Sequence, residues 1–163
     1  MMLWRPRNDP LSSRMRCSLT YVVSLAAGLL AGCTAISVEP LRADQRVERV
    51  CIERNPAVIV DDFESIVVAG FERHGVRTEV FEAPVPEECE FILRYTALRS
   101  WDLAPYVSHA ELSLERNGQE VARAEYHLRG KGGYALTKYR STRAKMDPVI
   151  DEMLAQYPPP GVE

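Results

Sequence analysis

Three stretches near the middle of the chain alternate apolar and polar residues with a period of two. Phe91, Leu93, Tyr95 and Ala97 fall on one side of the first stretch. Ala110, Leu112 and Leu114 do so in the second, and Ala122, Ala124, Tyr126 and Leu128 in the third. That period predicts half-buried strands with one face toward a core. A four-residue loop, Asp102-Leu103-Ala104-Pro105, would pair Ala97 with Ala110, Tyr95 with Leu112 and Leu93 with Leu114. Asn117-Gly118 looks like a two-residue hairpin turn, but that register would oppose Leu112 to Arg123 and split the core residues between faces. A three-residue loop, Arg116-Asn117-Gly118, restores parity and pairs Leu112 with Ala122. It also sets Glu111 opposite Arg123 and His109 opposite Glu125, each favourable by roughly 0.2–1 kcal/mol. This is the expected register.

Helical periods flank these strands. Phe63, Ile66, Val67, Gly70 and Phe71 lie on one helical face, preceded by Asp61 and Glu64 at capping-box spacing. His74 falls in the last turn and Gly75 in the left-handed position beyond it. Met146, Val149, Ile150, Met153, Leu154 and Tyr157 define a second face. That helix starts near Thr142 and bends at Pro148, or Asp147 caps it with Pro148 in its first position. Short strands are predicted at Val47–Glu53 and Arg77–Glu82, and an edge strand at 134–139. The expected fold is α+β: a mostly antiparallel sheet of about five strands, two helices packed on one face, and a βαβ-like opening.

The N-terminal part has a different pattern. Tyr21 to Ala31 is apolar but too short to span a bilayer as a helix. Arg5, Arg7, Arg14 and Arg16 precede it and small residues end it, the order of a signal peptide. Met15-Arg16 offers a second, more compact start. Leu30-Ala31-Gly32-Cys33 resembles the lipobox of bacterial lipoproteins. That resemblance implies lipidation of the Cys33 thiol, cleavage before it and acylation of the new terminus. Thr34, rather than Asp, after the cysteine points to the outer membrane. The expected organisation is a cleaved leader over 1–32, the lipidated cysteine and a tether over 33–45, one α+β domain over 46–157 and a Pro-rich tail over 158–163.

Charge narrows the partners. The chain of 163 residues carries −3; the leader holds four arginines and one aspartate, so the remainder carries −6. Nucleic acid is not an expected partner for so acidic a protein. Membrane association must then come from the lipid on Cys33, with an envelope protein as a possible second partner.

Candidate chemistry is sparse. With Cys33 lipidated and Cys17 removed, Cys51 and Cys89 remain, and an oxidising periplasm favours one disulfide between them. Two buried thiols are the alternative, because strand parity puts Cys51 opposite Val50 and Ile52 but Cys89 in phase with Phe91. His109, Glu125 and His127 share the outer sheet face and are conceivable zinc ligands; a solvated, charge-paired face is the competing reading, and nearby Arg123 favours it. Trp101 and Tyr106 flank a hairpin tip, where capping the core outweighs an exposed recognition spot. No nucleophile motif, phosphate loop or His-Glu-x-x-His helix occurs. No catalytic residue, metal or cofactor is expected.

Thr96–Asp102, Ser108–Leu112, Gly130–Gly133 and Asp147–Asp151, with Cys33, Asn55-Pro56 and Arg73-His74-Gly75, resemble a family of small Gram-negative lipoproteins. The resemblance implies an anchored, periplasm-facing protein and adds no mechanism. The reading is a non-enzymatic outer-membrane lipoprotein that binds or supports another envelope component. The alternatives are a metal-binding periplasmic protein using His109, Glu125 and His127, and an envelope hydrolase.

Overall fold

The computed structural model describes residues 34–132 and 136–157, all within one compact unit. The leader, Cys33 and residues 158–163 lie outside the described residues. Six strands form one mixed sheet in the order β1-β6-β5-β4-β2-β3. They are β1 (Thr34–Glu39), β2 (Arg49–Glu53), β3 (Arg77–Phe81), β4 (Phe91–Asp102), β5 (Ala104–Arg116) and β6 (Gln119–Leu128). Helices α1 (Phe63–Arg73) and α2 (Thr142–Met153) bury their apolar stripes in the same core as the sheet. The class is α+β, with one strand more than expected. The β2–α1–β3 unit is a parallel crossover, and β2 also pairs parallel with β4; the other three pairings are antiparallel.

The extra strand is the segment read as a tether. Within Thr34–Glu39 only Ile36 and Val38 alternate with polar neighbours before Pro40, too short a run to predict a strand. The segment pairs along its length with β6, from Thr34 opposite Leu128 to Glu39 opposite Arg123. Backbone hydrogen bonding to a partner edge needs no apolar side chains. Leu41 then enters the core fully, and its amide donates to the Met153 carbonyl at 2.9 Å. The folded domain therefore includes the residues from Thr34 onward that the sequence pattern reads as a tether.

Between β4 and β5 the expected register holds from Phe91 to Leu98. It then shifts. Leu98 faces His109 but Arg99 faces Val107, so Ser108 is a bulge. The Ser108 hydroxyl donates to the Leu98 carbonyl at 3.2 Å and accepts from Ser100 at 2.8 Å. Pairing continues to Asp102 opposite Ala104, leaving Leu103 alone at the apex with φ +36°. The four-residue loop is replaced by a longer hairpin.

The β5–β6 register differs from the expected one by two residues. Leu112 faces Ala124, Ala110 faces Tyr126, Glu111 faces Glu125 and His109 faces His127. The turn is the two-residue Asn117-Gly118, at φ +52° and +76°. Positive φ at both positions matches the twist of the flanking strands. Parity is rescued by a bulge at Val121, which falls between the pairs Leu114–Ala122 and Glu115–Glu120. The core alternation accepts either register, so turn geometry decides between them. The direct Glu111–Glu125 opposition is relieved diagonally, because Arg123 pairs with Glu111 and lies 3.1 Å from Glu120.

The α1 face is as predicted, with Phe63, Ile66, Val67, Gly70 and Phe71 buried, and Gly75 adopts φ +77°. The capping box is not formed. The helix starts after Asp62 with no side-chain cap, and Glu64 instead receives hydrogen bonds from Arg54 and Tyr95. Helix α2 takes the first of its two predicted forms. Ser141 accepts from the Ala144 amide at 3.2 Å, and Pro148 lies inside the helix. The predicted edge strand at 134–139 is not formed where it is described; Leu136–Tyr139 is a 3₁₀ turn.

The two helices touch at Gly70. A Cβ there would lie 2.8 Å from Ile150 Cδ1 and 2.9 Å from its Cγ2. Overpacking of that kind costs roughly 1–3 kcal/mol, against a helix-propensity gain of up to about 1 kcal/mol. Gly70→Ala is therefore expected to lower stability by about 1 kcal/mol in a urea titration. Adding Ile150→Val removes the nearest methyl, so the double variant loses less than the sum of the two singles.

Lys145 on α2 is only 6% exposed. Its ammonium donates to the carbonyls of Val107 (3.0 Å) and Lys138 (2.5 Å), and lies over the rings of Tyr106 and Tyr126. Its acceptors are carbonyls rather than a carboxylate, and burial pushes it down to about 8. The unfolded lysine titrates near its ordinary value of about 10.4. Between these values the unfolded chain binds more protons, so stability rises with pH across that window. Lys145→Met is expected to flatten the rise, read as the urea midpoint against pH.

Candidate functional site

A single row of residues crosses four strands: Ala35 on β1, His127 on β6, His109 on β5 and Leu98 on β4. On one side of this row the outer sheet face is densely charged. Arg94 lies 3.0 Å from Glu53 and also pairs with Glu115. Next to it a cleft of about 320 Å³ opens where β2 ends, lined by Glu53, Asn55, Arg94, Tyr95 and Glu111 among others. The carboxyl end of parallel strands is the usual ligand crevice of α/β sheets.

Its charged groups are already engaged with each other. Arg54 lies 2.9 Å from Glu64 and 2.8 Å from Glu82. Arg54 holds Glu64 below the usual carboxylate range, against the opposing effect of its partial burial. The Tyr95 hydroxyl donates to Glu64 at 2.8 Å. Burial, then the Glu64 carboxylate, pushes Tyr95 up to about 12. The Asn55 side-chain amide donates to the Tyr95 carbonyl at 2.9 Å. Glu64 is thus an ionised acceptor with its oxygens occupied, and Tyr95 is a protonated donor. Neither is poised as a base or nucleophile toward a bound molecule.

The three candidate metal ligands do share the outer face, as expected. His109 Nδ1 lies 3.8 Å from Glu125, and the His109 and His127 rings meet edge to face with centroids 5.6 Å apart. His127 faces His109 directly, rather than diagonally, because of the register difference. Among the described residues no group of three His, Cys, Asp or Glu side chains is placed to hold a metal.

Cys51 and Cys89 form a disulfide, with Cα atoms 6.0 Å apart. The parity conflict disappears because Cys89 precedes β4, in a turn whose amide bonds to Pro86. From there it reaches the face of β2 opposite Val50 and Ile52. Cys33 is outside the described residues, so its lipidation remains an expectation from the sequence.

On the other side of the cross-strand row the β4–β5 hairpin runs past the sheet. Tyr106 is buried, as expected for a residue capping the core. Trp101 is not: it is 74% exposed, Leu103 at the apex 87%, Leu98 59%, and Leu136 on the neighbouring 3₁₀ turn 80%. Trp101 keeps the core-side parity of β4 but lies in the part of the hairpin that extends beyond the sheet. The 3₁₀ turn is tied to the tip by the ion pair of Lys138 with Asp102. Strand parity alone misses this surface. The signal available in the sequence was Leu98, a large apolar residue on the polar side of β4, together with a leucine in the loop.

No protein-family model matches the chain, and no curated protein matches it. Solved structures do resemble its fold. The PelC dodecamer of Paraburkholderia phytofirmans aligns at 12% identity with a TM-score of 0.52, over 76% of this chain and 96% of that one. Its L103M variant aligns at 12% identity and TM-score 0.51, over 78% and 98%. A minor lipoprotein from Acinetobacter baumannii aligns at 16% identity and TM-score 0.38, over 67% and 91%. The chain thus shares its fold with PelC. Among the described residues no helix is long and apolar enough to cross a membrane.

Proposed function

We propose that this chain is a lipid-anchored outer-membrane lipoprotein whose periplasm-facing domain acts by assembly, as a non-enzymatic accessory to another envelope component. The address rests on the leader and on Leu30-Ala31-Gly32-Cys33. One observation carries the role: the charged groups around the cleft are engaged with one another, while large apolar side chains stay exposed at one end of the sheet. A site for chemistry needs unengaged polar groups in a pocket; a site for association needs exposed apolar anchors. The likeness to PelC, whose structures are dodecamers, makes further copies of this chain the first partners to test.

The test is in-cell crosslinking of the lipidated protein beside an unlipidated Cys33→Ala control, followed by native mass spectrometry of the detergent-extracted complex. Defined higher-mass species that depend on Cys33 are expected. A lipidated protein that stays monomeric under every crosslinker overturns the reading.

A further inference from the structure

The apolar tip and the start of the folded chain lie at the same end of the sheet. Thr34, the first residue of β1, is one step beyond the cross-strand row Ala35–His127–His109–Leu98. Leu103 is five steps beyond it on the same side. At about 3.3 Å per residue the apex stands roughly 10 Å further out than Thr34, after allowing for strand twist. Because Thr34 is already paired in the sheet, no slack separates residue 33 from the domain. Whatever surface holds residue 33 is brought against this end.

The composition of the end fits an apolar neighbour. Trp101, Leu103 and Leu136 are all more than half exposed. The apex leucine sits at φ +36°, a backbone region that costs a bulky side chain and suits glycine. Core packing does not account for a leucine there, since its side chain is almost wholly outside. Indole rings favour the boundary between headgroups and acyl chains, and interfacial segments bury their apolar side chains about 5–10 Å deep. The reach of the hairpin matches that depth. Charge does not select the partner: Arg99, Arg129 and Arg140 are exposed near this end, but so are Asp61, Asp62 and Asp102.

We infer that the β4–β5 hairpin is a membrane-dipping element, with Trp101 and Leu103 seated in the interfacial layer of the bilayer that holds the lipid on Cys33. The inference rests on the anchored reading above. It adds that the domain does not hang free below the membrane but stands on it through two points, the lipid and the hairpin. The outer sheet face and the crevice at the end of β2 are then turned to the side or away from the lipid.

Removal of the leader takes Trp4 with it and leaves Trp101 as the sole tryptophan. The mature lipidated protein is reconstituted into vesicles of phosphatidylethanolamine and phosphatidylglycerol, with and without lipids brominated along the acyl chain. The expected result is a blue-shifted Trp101 emission, strongly quenched by bromines near the headgroup and weakly by bromines near the chain end. Leu103→Ser should reduce the quenching at least twofold while the protein still floats with the vesicles. Emission typical of an indole in water, unquenched in protein that floats, overturns the hairpin's role and leaves the anchor standing. A purified protein whose mass lacks acyl chains overturns the anchored reading and this inference with it. A blue shift that persists in vesicles but is indifferent to bromine overturns the inference in favour of contact with a second copy.

Discussion

Cys33→Ser is expected to leave an uncleaved, unlabelled precursor. In the lipidation proposed for Cys33 the lipid is attached through a thioether, and a serine hydroxyl does not replace the thiol in that transfer. Without the diacylglyceryl group the lipoprotein peptidase has no substrate, so residues 1–32 stay on the chain and no new terminus is acylated. The wild-type protein should incorporate radiolabelled palmitate and stay with membranes through high-salt and alkaline washes. Each buried methylene contributes about 0.8 kcal/mol, so two or three acyl chains give an anchor that does not exchange on a cellular time scale. The variant should migrate as a larger species with no label. The apolar run of Tyr21–Ala31 is short for a stable span, so its hold on the membrane should be weaker than the lipid's. Normal processing and fractionation of Cys33→Ser would overturn the anchor.

The second large effect is expected at the disulfide. Cys51 lies in β2, between β3 and β4, on the face away from the helices. Cys89 lies in the loop that leads into β4. Their bond encloses a separation of 38 residues, the whole parallel crossover with its helix and the strand it feeds. In the chain-entropy account, closing a loop of that size removes about 3–4 kcal/mol of freedom from the unfolded chain. A Cys51→Ser, Cys89→Ser double variant should therefore melt about 10 °C lower or more, measured by calorimetry. Reductant should lower the wild-type midpoint by a similar amount and leave the variant unchanged. A double variant that melts with the wild type would show that helix packing alone fixes the crossover.

The parts of this fold legible from sequence were those in which burial and period agree. The core faces of β4, β5, β6, α1 and α2 could be named residue by residue because each is apolar on one side and polar on the other. The pairing of β4 with β5 followed from the same parity. Errors arose where something other than burial decides the structure. Strand β1 is held by backbone pairing to an edge, and its alternation is only Ile36 and Val38, of which Ile36 stays exposed. The β5–β6 register rests on the backbone preference of Asn117-Gly118, and the bulge that rescues parity carries an ordinary valine. Glu64 has capping-box spacing, yet Arg54 and Tyr95, distant in sequence, compete for it and win. The disulfide was legible as a pair but not as a geometry, since Cys89 lies outside the strand whose parity it shares. Trp101 followed the core pattern into a region where the core has ended. The candidate surface was therefore visible only as an inconsistency: apolar residues at Leu98 and Leu103 that the alternation did not use.

The pairing of β1 bears on how the domain withstands force. With the lipid proposed for Cys33, a pull along the axis of β1 would enter the fold at Thr34 and load the strand in shear. Six residue pairs, from Thr34–Leu128 to Glu39–Arg123, then carry the load together instead of parting one after another. Behind them Leu41, sealed in the core and bonded to Met153, acts as a stop against slippage. The first strand of the domain grips the last, so tension at the anchor is shared with a strand made of the final third of the chain. A strand ladder is strongest in shear, so the β1–β6 pairing suits a domain loaded from its N-terminal end along β1.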